Sequence, residues 1–256
     1  VHNIAKLTGN AATLALPMLD AAGGFAVNGL LMAVSVGFLL CHPRRPRPAG
    51  PAPALATARP RLAEHFRTRP ASLDILISSA FLGLVVVSAF YVFQPLTLRS
   101  WFQQAEGLMG LFGVIGWVAA ILASGLAARL AARIRHPGRL ALGVWALVAA
   151  AFAVLTLVPN LAAYVAVLFV LGVNGLGKAL VYGPYLREAP EEDRALLIGI
   201  DQTAYWGFTT IGTAGLGLMV EILGLAPAML VVAGMILGAT MLLALRGHLW
   251  RLGAAG

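Results

Sequence analysis

Between residues 73 and 246, apolar stretches follow one another with only short polar breaks. A bilayer core is crossed by a helix of roughly 20 apolar residues. Six stretches reach or approach that length: Leu73 to Leu96, Gly107 to Ala128, Leu140 to Val158, Leu161 to Tyr185, Ala195 to Val220 and Gly224 to Leu245. Two more precede them, Gly24 to Cys41 and a weaker run from Ile4 to Leu19 that carries Lys6, Asn10 and Pro17. The pattern predicts an all-α, polytopic membrane bundle of about eight helices.

Breaks in the pattern divide the chain into two spans over 1-41, a basic linker over 42-72 and a six-span unit over 73-256. His42 to Pro60 is rich in Pro, Ala and Arg and lacks helical periodicity, which predicts an extended, partly disordered connection. Arg61 to Thr68, with Leu62 and Phe66 four residues apart, predicts a short helix lying on the membrane surface.

Composition agrees. With 60% hydrophobic and 11% charged residues, a soluble fold would be covered in exposed hydrocarbon. The formal charge of +8 is compatible with a nucleic-acid partner or with the Lys/Arg excess of cytoplasmic membrane loops, and position decides between them. Arg44, Arg45, Arg47, Arg59, Arg61, Arg67 and Arg69 fall between the second and third spans. Arg129, Arg133, Arg135 and Arg139 follow the fourth, Arg187 and Arg194 the sixth, and Arg246 and Arg251 the eighth. These turns share one side of an even-numbered bundle, and the other side has only Arg99. The bias predicts a multi-pass protein of the cell (plasma or inner) membrane with both termini and the basic loops cytoplasmic, a lipid bilayer as partner and no nucleic acid.

Cys41 is the only cysteine, so intrachain disulfides and metal sites built on several thiolates are excluded. The chain opens at Val1, close to a hydrophobic segment and without a signal-peptide pattern, so either translation starts at an unusual codon or, the favoured expectation, this is the later part of a longer protein.

Ionisable residues inside a bilayer are costly, so each one within a span is a candidate for function. Lys178 in the sixth span and Asp201 in the seventh lie at matching depths, roughly 10 Å from the cytoplasmic ends of successive antiparallel helices. They are expected to form an ion pair. Asn174, Lys178, Tyr182 and Tyr185 recur on one helical face, and Asp201 and Tyr205 share another, with Gln202, Trp206 and Thr210 beside it. Two polar-aromatic faces directed at a common aqueous cavity are the expectation. In the third span, Phe90, Tyr91 and Gln94 precede Pro95, a predicted kink near the outer end. The alternative is that Lys178 and Asp201 only neutralise each other between packed helices, or that Lys178 snorkels to the interface. Tyr185, near a helix end, is expected to be an interface anchor. Glu221 and Asp20, near outer ends, are expected to be solvated.

Gly172 to Ala179 nearly spells a phosphate-binding loop, but Ala179 stands where a hydroxyl is required and the run lies inside an apolar span. Glycines there, and Gly110, Gly113, Gly116, Gly207, Gly212, Gly215 and Gly217, are expected at close helix contacts. No H-E-x-x-H or G-x-S-x-G occurs, and the histidines are dispersed, so no enzyme, cofactor or metal site is expected.

Gly23-Gly24-Phe25-Ala26-Val27-Asn28 is similar to G-G-x-x-F-x-x-N, Asn3-Ile4-Ala5-Lys6 to N-x-A-R, and Pro190-Glu191-Glu192-Asp193-Arg194 with Gly199 to P-x-E-x-R-G-x-x-x-G. Gly125 to Arg129, continuing through Arg133 and His136-Pro137-Gly138-Arg139, is similar to a degenerate basic loop motif that has lost its Asp. Together with six spans behind a long basic linker, these features resemble the last eight helices of a twelve-helix major facilitator superfamily transporter, in the branch of the enterobactin exporter and related secretion proteins. Gly9-Asn10, with proline displaced to Pro17, departs from the family's Gly-Pro pair in its fifth helix.

The resemblance implies secondary-active export of a small amphipathic molecule, drug-like or siderophore-like, by alternating access, with protons as coupling ion. It implies that the third and sixth spans line the cavity. Tyr91, Gln94, Asn174, Lys178, Tyr182, Asp201, Gln202 and Tyr205 are the expected substrate pathway. The alternative is a truncated or accessory membrane protein that transports nothing.

Overall fold

Proline and glycine mark most helix boundaries in the computed structural model, which describes residues 55–103, 106–130, 133–157 and 160–252. The helices are α1 (Leu55–Thr68), α2 (Pro70–Ser100), α3 (Glu106–Leu130), α4 (Pro137–Leu157), α5 (Leu161–Glu188), α6 (Glu191–Leu223) and α7 (Leu225–Arg246). Pro70 and Pro137 occupy first positions, where a missing N–H costs nothing. The Asn160 side chain caps α5 by accepting from the Ala163 N–H at 2.8 Å. Gly224, at φ 85°, separates α6 from α7, and Gly247, at φ 74°, ends α7 in the left-handed region that glycine enters without strain.

α2 to α7 match the six apolar stretches. Five of them, α2 and α4 to α7, are long and apolar enough to cross a bilayer, while the described apolar part of α3 is Val114–Ala127. Among the described residues there is no strand. The chain is a multi-pass helical membrane protein. Leu122, Leu157, Ile211, Ile222, Leu242 and Leu245 are exposed, forming an outward hydrocarbon surface that suits lipid. Several hydroxyls in the spans are satisfied by their own helices: Thr209 donates to the Tyr205 carbonyl at 2.7 Å, Thr213 to Thr209 at 2.8 Å and Thr240 to Ile236 at 2.7 Å. The Ile4 to Leu19 and Gly24 to Cys41 spans lie outside the described residues.

α1 differs from the expected extended linker: the helix begins at Leu55, six residues before Arg61. Leu55, Ala56 and Ala58 favour helix, and the helix runs on through Pro60, its sixth residue, at the loss of one backbone bond. The α1–α2 break falls at Arg69 (φ −129°, ψ 74°), whose helical conformation is disfavoured by Pro70.

α5 packs between α3 and α4, α4 against α7, and α6 along α2. α5 and α6, successive in sequence, make little direct contact, and a space opens between them. The α2–α6 seam is close. A Cβ on Gly83 would run into the Tyr205 carbonyl, and one on Gly212 into the Leu84 carbonyl. The Ser88 hydroxyl lies between the Gly83 and Thr209 carbonyls, at 2.9 and 2.8 Å, with one hydrogen to serve either. Here α2 widens into a π-helical segment, Leu82–Val87. The irregularity of α2 therefore lies roughly two to three and a half turns before Pro95, and α2 continues through the proline.

Gly116 and Gly172 form the matching contact between α3 and α5, and Gly177 lies against the Trp145 ring of α4. Gly207, Gly215 and Gly217 correct the expectation of close packing: no atom of a neighbour lies within 4 Å of a Cβ built at any of them. They sit on α6, the span with the smallest buried share. Gly110 and Gly113 lie outside the residues whose surroundings are described.

Candidate functional site

α5 carries Lys178 midway along its length, and α6 carries Asp201 three turns from its start. Antiparallel directions bring them to one level: Lys178 Nζ lies 3.2 Å from Asp201 Oδ2. The Asp201 side chain is fully buried, whereas that of Lys178 keeps 20% of its surface exposed. Lys178 Nζ also stands 3.9 Å from the centre of the Tyr205 ring and 5.7 Å from that of Tyr182. A desolvated ammonium is held well by a carboxylate and π faces together. The Gln202 amide reaches Asp201 Oδ2 at 3.3 Å, and Asp201 Oδ1 has no partner among the described residues.

The space beside this pair is a cavity of about 310 Å³ bounded by α2, α3, α5 and α6. That is at the lower end of the range for small-molecule sites, roughly 300–1,000 Å³. Its aromatic wall is Phe90, Tyr91, Tyr182, Tyr205 and Trp206; its polar groups are Ser124, Asn174, Lys178 and Gln202. On the α3 and α5 sides the wall is made of the small residues Gly116, Ala120, Gly172 and Gly175. The π-helical segment of α2 ends at Val86 and Val87, which also line the cavity. π-turns inside helices recur at functional sites.

Six of the eight expected pathway residues, Tyr91, Asn174, Lys178, Tyr182, Gln202 and Tyr205, line this one space. Asp201 stands behind it, reached through Lys178. Gln94 does not line this space: it lies by a narrow gap of about 10 Å³ between α2, α4 and α5, and its main-chain carbonyl accepts from the Tyr164 hydroxyl at 3.4 Å. Phe93, Phe112, Phe152 and Tyr164 fill the bundle there, with Phe93 against Phe152 at 6.0 Å and Phe112 against Tyr164 at 5.8 Å. Trp206 and Ser124 join the wall. Thr210 is exposed and donates to its own helix at Trp206, and Tyr185 is buried against Tyr182 at 5.7 Å. Gly172 to Ala179 is helical throughout, with none of the loop geometry that a phosphate cradle needs. Among the described residues no three His, Cys, Asp or Glu side chains converge on a metal position.

A second buried charge cluster was not anticipated. Asp74 in α2 is fully buried and accepts from Arg246 Nε at 2.7 Å, while His248 Nδ1 lies 3.1 Å from its other oxygen. The rule that selects Lys178 and Asp201, an ionisable residue within an apolar stretch, selects Asp74 as well. Next to it, the Arg139 guanidinium stacks on the Trp250 ring at 4.8 Å and its Nε donates to the Trp250 carbonyl at 3.3 Å. Gly138 meets the Leu249 backbone. The turn after α7 is thereby fastened to the starts of α2 and α4.

Compared with known proteins, the chain matches no family model and no curated protein.

Proposed function

We propose that this protein is a secondary-active transporter of the major facilitator type, exporting a small amphipathic molecule by alternating access. The buried Lys178–Asp201 pair at the wall of an aromatic cavity carries this reading. Structural glue between helices has no need of a cavity, and here the pair joins α5 and α6, whose backbones make few close contacts, at the edge of a cavity that Lys178 lines. An ion pair in such a position opens and closes with substrate occupancy at modest cost, since the ammonium already borders the cavity and the carboxylate stays within reach. The cytoplasmic placement of the basic turns and proton coupling belong to the same proposal; they rest on the arginine distribution and on the family resemblance. No chemical change in the substrate is part of it.

The test is flux. The protein, with any segment encoded ahead of Val1, is placed in lipid vesicles, and the movement of fluorescent amphipathic dyes is followed under an imposed pH gradient. Lys178→Met and Asp201→Asn are each expected to reduce gradient-driven flux at least about tenfold, as loss of one partner of a buried pair does. Normal flux in both single variants would remove the gate from the mechanism. Absence of gradient-dependent flux in the unaltered protein would favour an accessory role.

A further inference from the structure

We infer that the cavity between α2, α3, α5 and α6 selects amphipathic anions over cations of the same size. This deepens the reading of that cavity as the substrate site and rests on it. Among the described lining residues, Lys178 is the only ionised one. Its partner does not compete for ligand: Asp201 is fully buried and absent from the wall, so among the described residues a cationic ligand finds no carboxylate to touch. Lys178 Nζ has three hydrogens. One points to Asp201 Oδ2, and the Tyr205 ring covers another side. The part of the ammonium bordering the cavity is left to meet a carboxylate, sulfonate or phenolate oxygen in a charge-assisted hydrogen bond.

The remaining polar groups do not reverse that preference. Asn174, Gln202 and the tyrosine hydroxyls both donate and accept, so they serve an anion as readily as a neutral molecule. Tyr and Trp faces attract cations, but the nearest one, Tyr205, already holds Lys178. A second cation in about 310 Å³ would stand close to the first, in a medium that screens them poorly. The ligand class is therefore a small aromatic body bearing one anionic group, with the ring against Phe90, Tyr91 and Trp206 and the charge at Lys178.

The experiment measures equilibrium binding of three matched probes, 2-naphthoate, 2-naphthylmethanol and 2-naphthylmethylamine, to the purified full chain in detergent, without any gradient. Naphthoate is expected to bind on the order of tenfold tighter than the amine, with the alcohol between them. Because Lys178→Met alone leaves a buried carboxylate unpaired and risks misfolding, the deciding variant is Lys178→Met/Asp201→Asn, which removes both charges. There the naphthoate preference is expected to vanish. Equal or tighter binding of the amine, persistence of the anion preference without Lys178, or failure of all three probes to bind would each overturn the inference. Binding and flux fail separately: anion-selective binding without gradient-driven flux would refute transport and leave the selectivity intact, whereas flux with cation preference would do the reverse.

Discussion

Arg246, the last residue of α7, donates from Nε to Asp74 Oδ1 at 2.7 Å, across 172 positions of sequence. The contact joins the first bilayer-length helix of the described bundle to the last. Arg246 also suits its helix end, a basic group in the last turn of α7. Asp74 is fully buried and the Arg246 side chain is 38% exposed, so the two halves of the contact are unequal. Removing the arginine strands a buried carboxylate with His248 alone; removing the carboxylate leaves an arginine that water can reach. Arg246→Ala should therefore lower stability more than Asp74→Asn, by about 1–2 kcal/mol against under about 1 kcal/mol. Thermal unfolding in detergent measures the order, and a larger loss for Asp74→Asn would refute it.

The Lys178–Asp201 pair should behave as a coupled unit in stability as well as in flux. Either single neutralisation leaves one buried charge without its partner, at a cost of about 3 kcal/mol in a low-dielectric site. Neutralising both removes the need for compensation. A double-mutant cycle on unfolding should show the Lys178→Met/Asp201→Asn protein more stable than either single variant. Additive losses would mean that the two groups do not sense each other.

Two glycines of α6 should respond oppositely to the same substitution. Gly212→Ala drives a methyl group into the Leu84 carbonyl on the α2–α6 seam, where backbone has no means of yielding, and should destabilise by about 1–3 kcal/mol. Gly207→Ala meets open space and should be neutral or gain about 0.5–1 kcal/mol of helix propensity. Because Gly83 faces the Tyr205 carbonyl, Gly83→Ala should also shift the cavity wall and weaken naphthoate binding. Thermal midpoints of the three variants check the ranking.

Alternation of the helices assigns each turn to one end of the bundle. Cysteines placed singly at Arg139 and Arg187 in a Cys41→Ser background should react with an impermeant maleimide from one side of a sealed membrane, and cysteines at Gln103 and Asn160 from the other. All four positions are exposed. In inverted vesicles the basic pair should react and the other pair stay protected. Labelling of both pairs from the same side would refute the arrangement.

Lys178 and Asp201 were legible as a pair because charged residues are rare in these spans and helical rise fixes their depth. Asn174, Tyr182 and Tyr205 followed from helical spacing, which reports the face a residue occupies, with Gln202 beside that face, whereas Tyr91 and Gln94 were expected in the pathway on the family resemblance. Gln94 shares that spacing with Tyr91 yet lies elsewhere, because Phe93, Phe112, Phe152 and Tyr164 close the bundle at its level. Spacing along one helix carries no information on what the facing helices bring. The π-helical segment Leu82–Val87 left no mark in the residue pattern: Gly83 permits the close approach to Tyr205, but the widened turn belongs to the packed pair.

What the chain determines by itself is its solvent and its winding. Hydrocarbon side chains in runs of bilayer length exclude water, a backbone in lipid must pair its own polar groups, which apolar runs of roughly 20 residues do as helix, and prolines, glycines and arginines mark where each helix stops. Rotation of each helix about its own axis is another matter. Lipid is as apolar as the side chains it touches, so burial alone does not choose between faces; contact between small residues, hydroxyls and charges does. That choice set Asp74 against Arg246, seated Ser88 beside Thr209 and left the space between α5 and α6 where Lys178 meets Asp201.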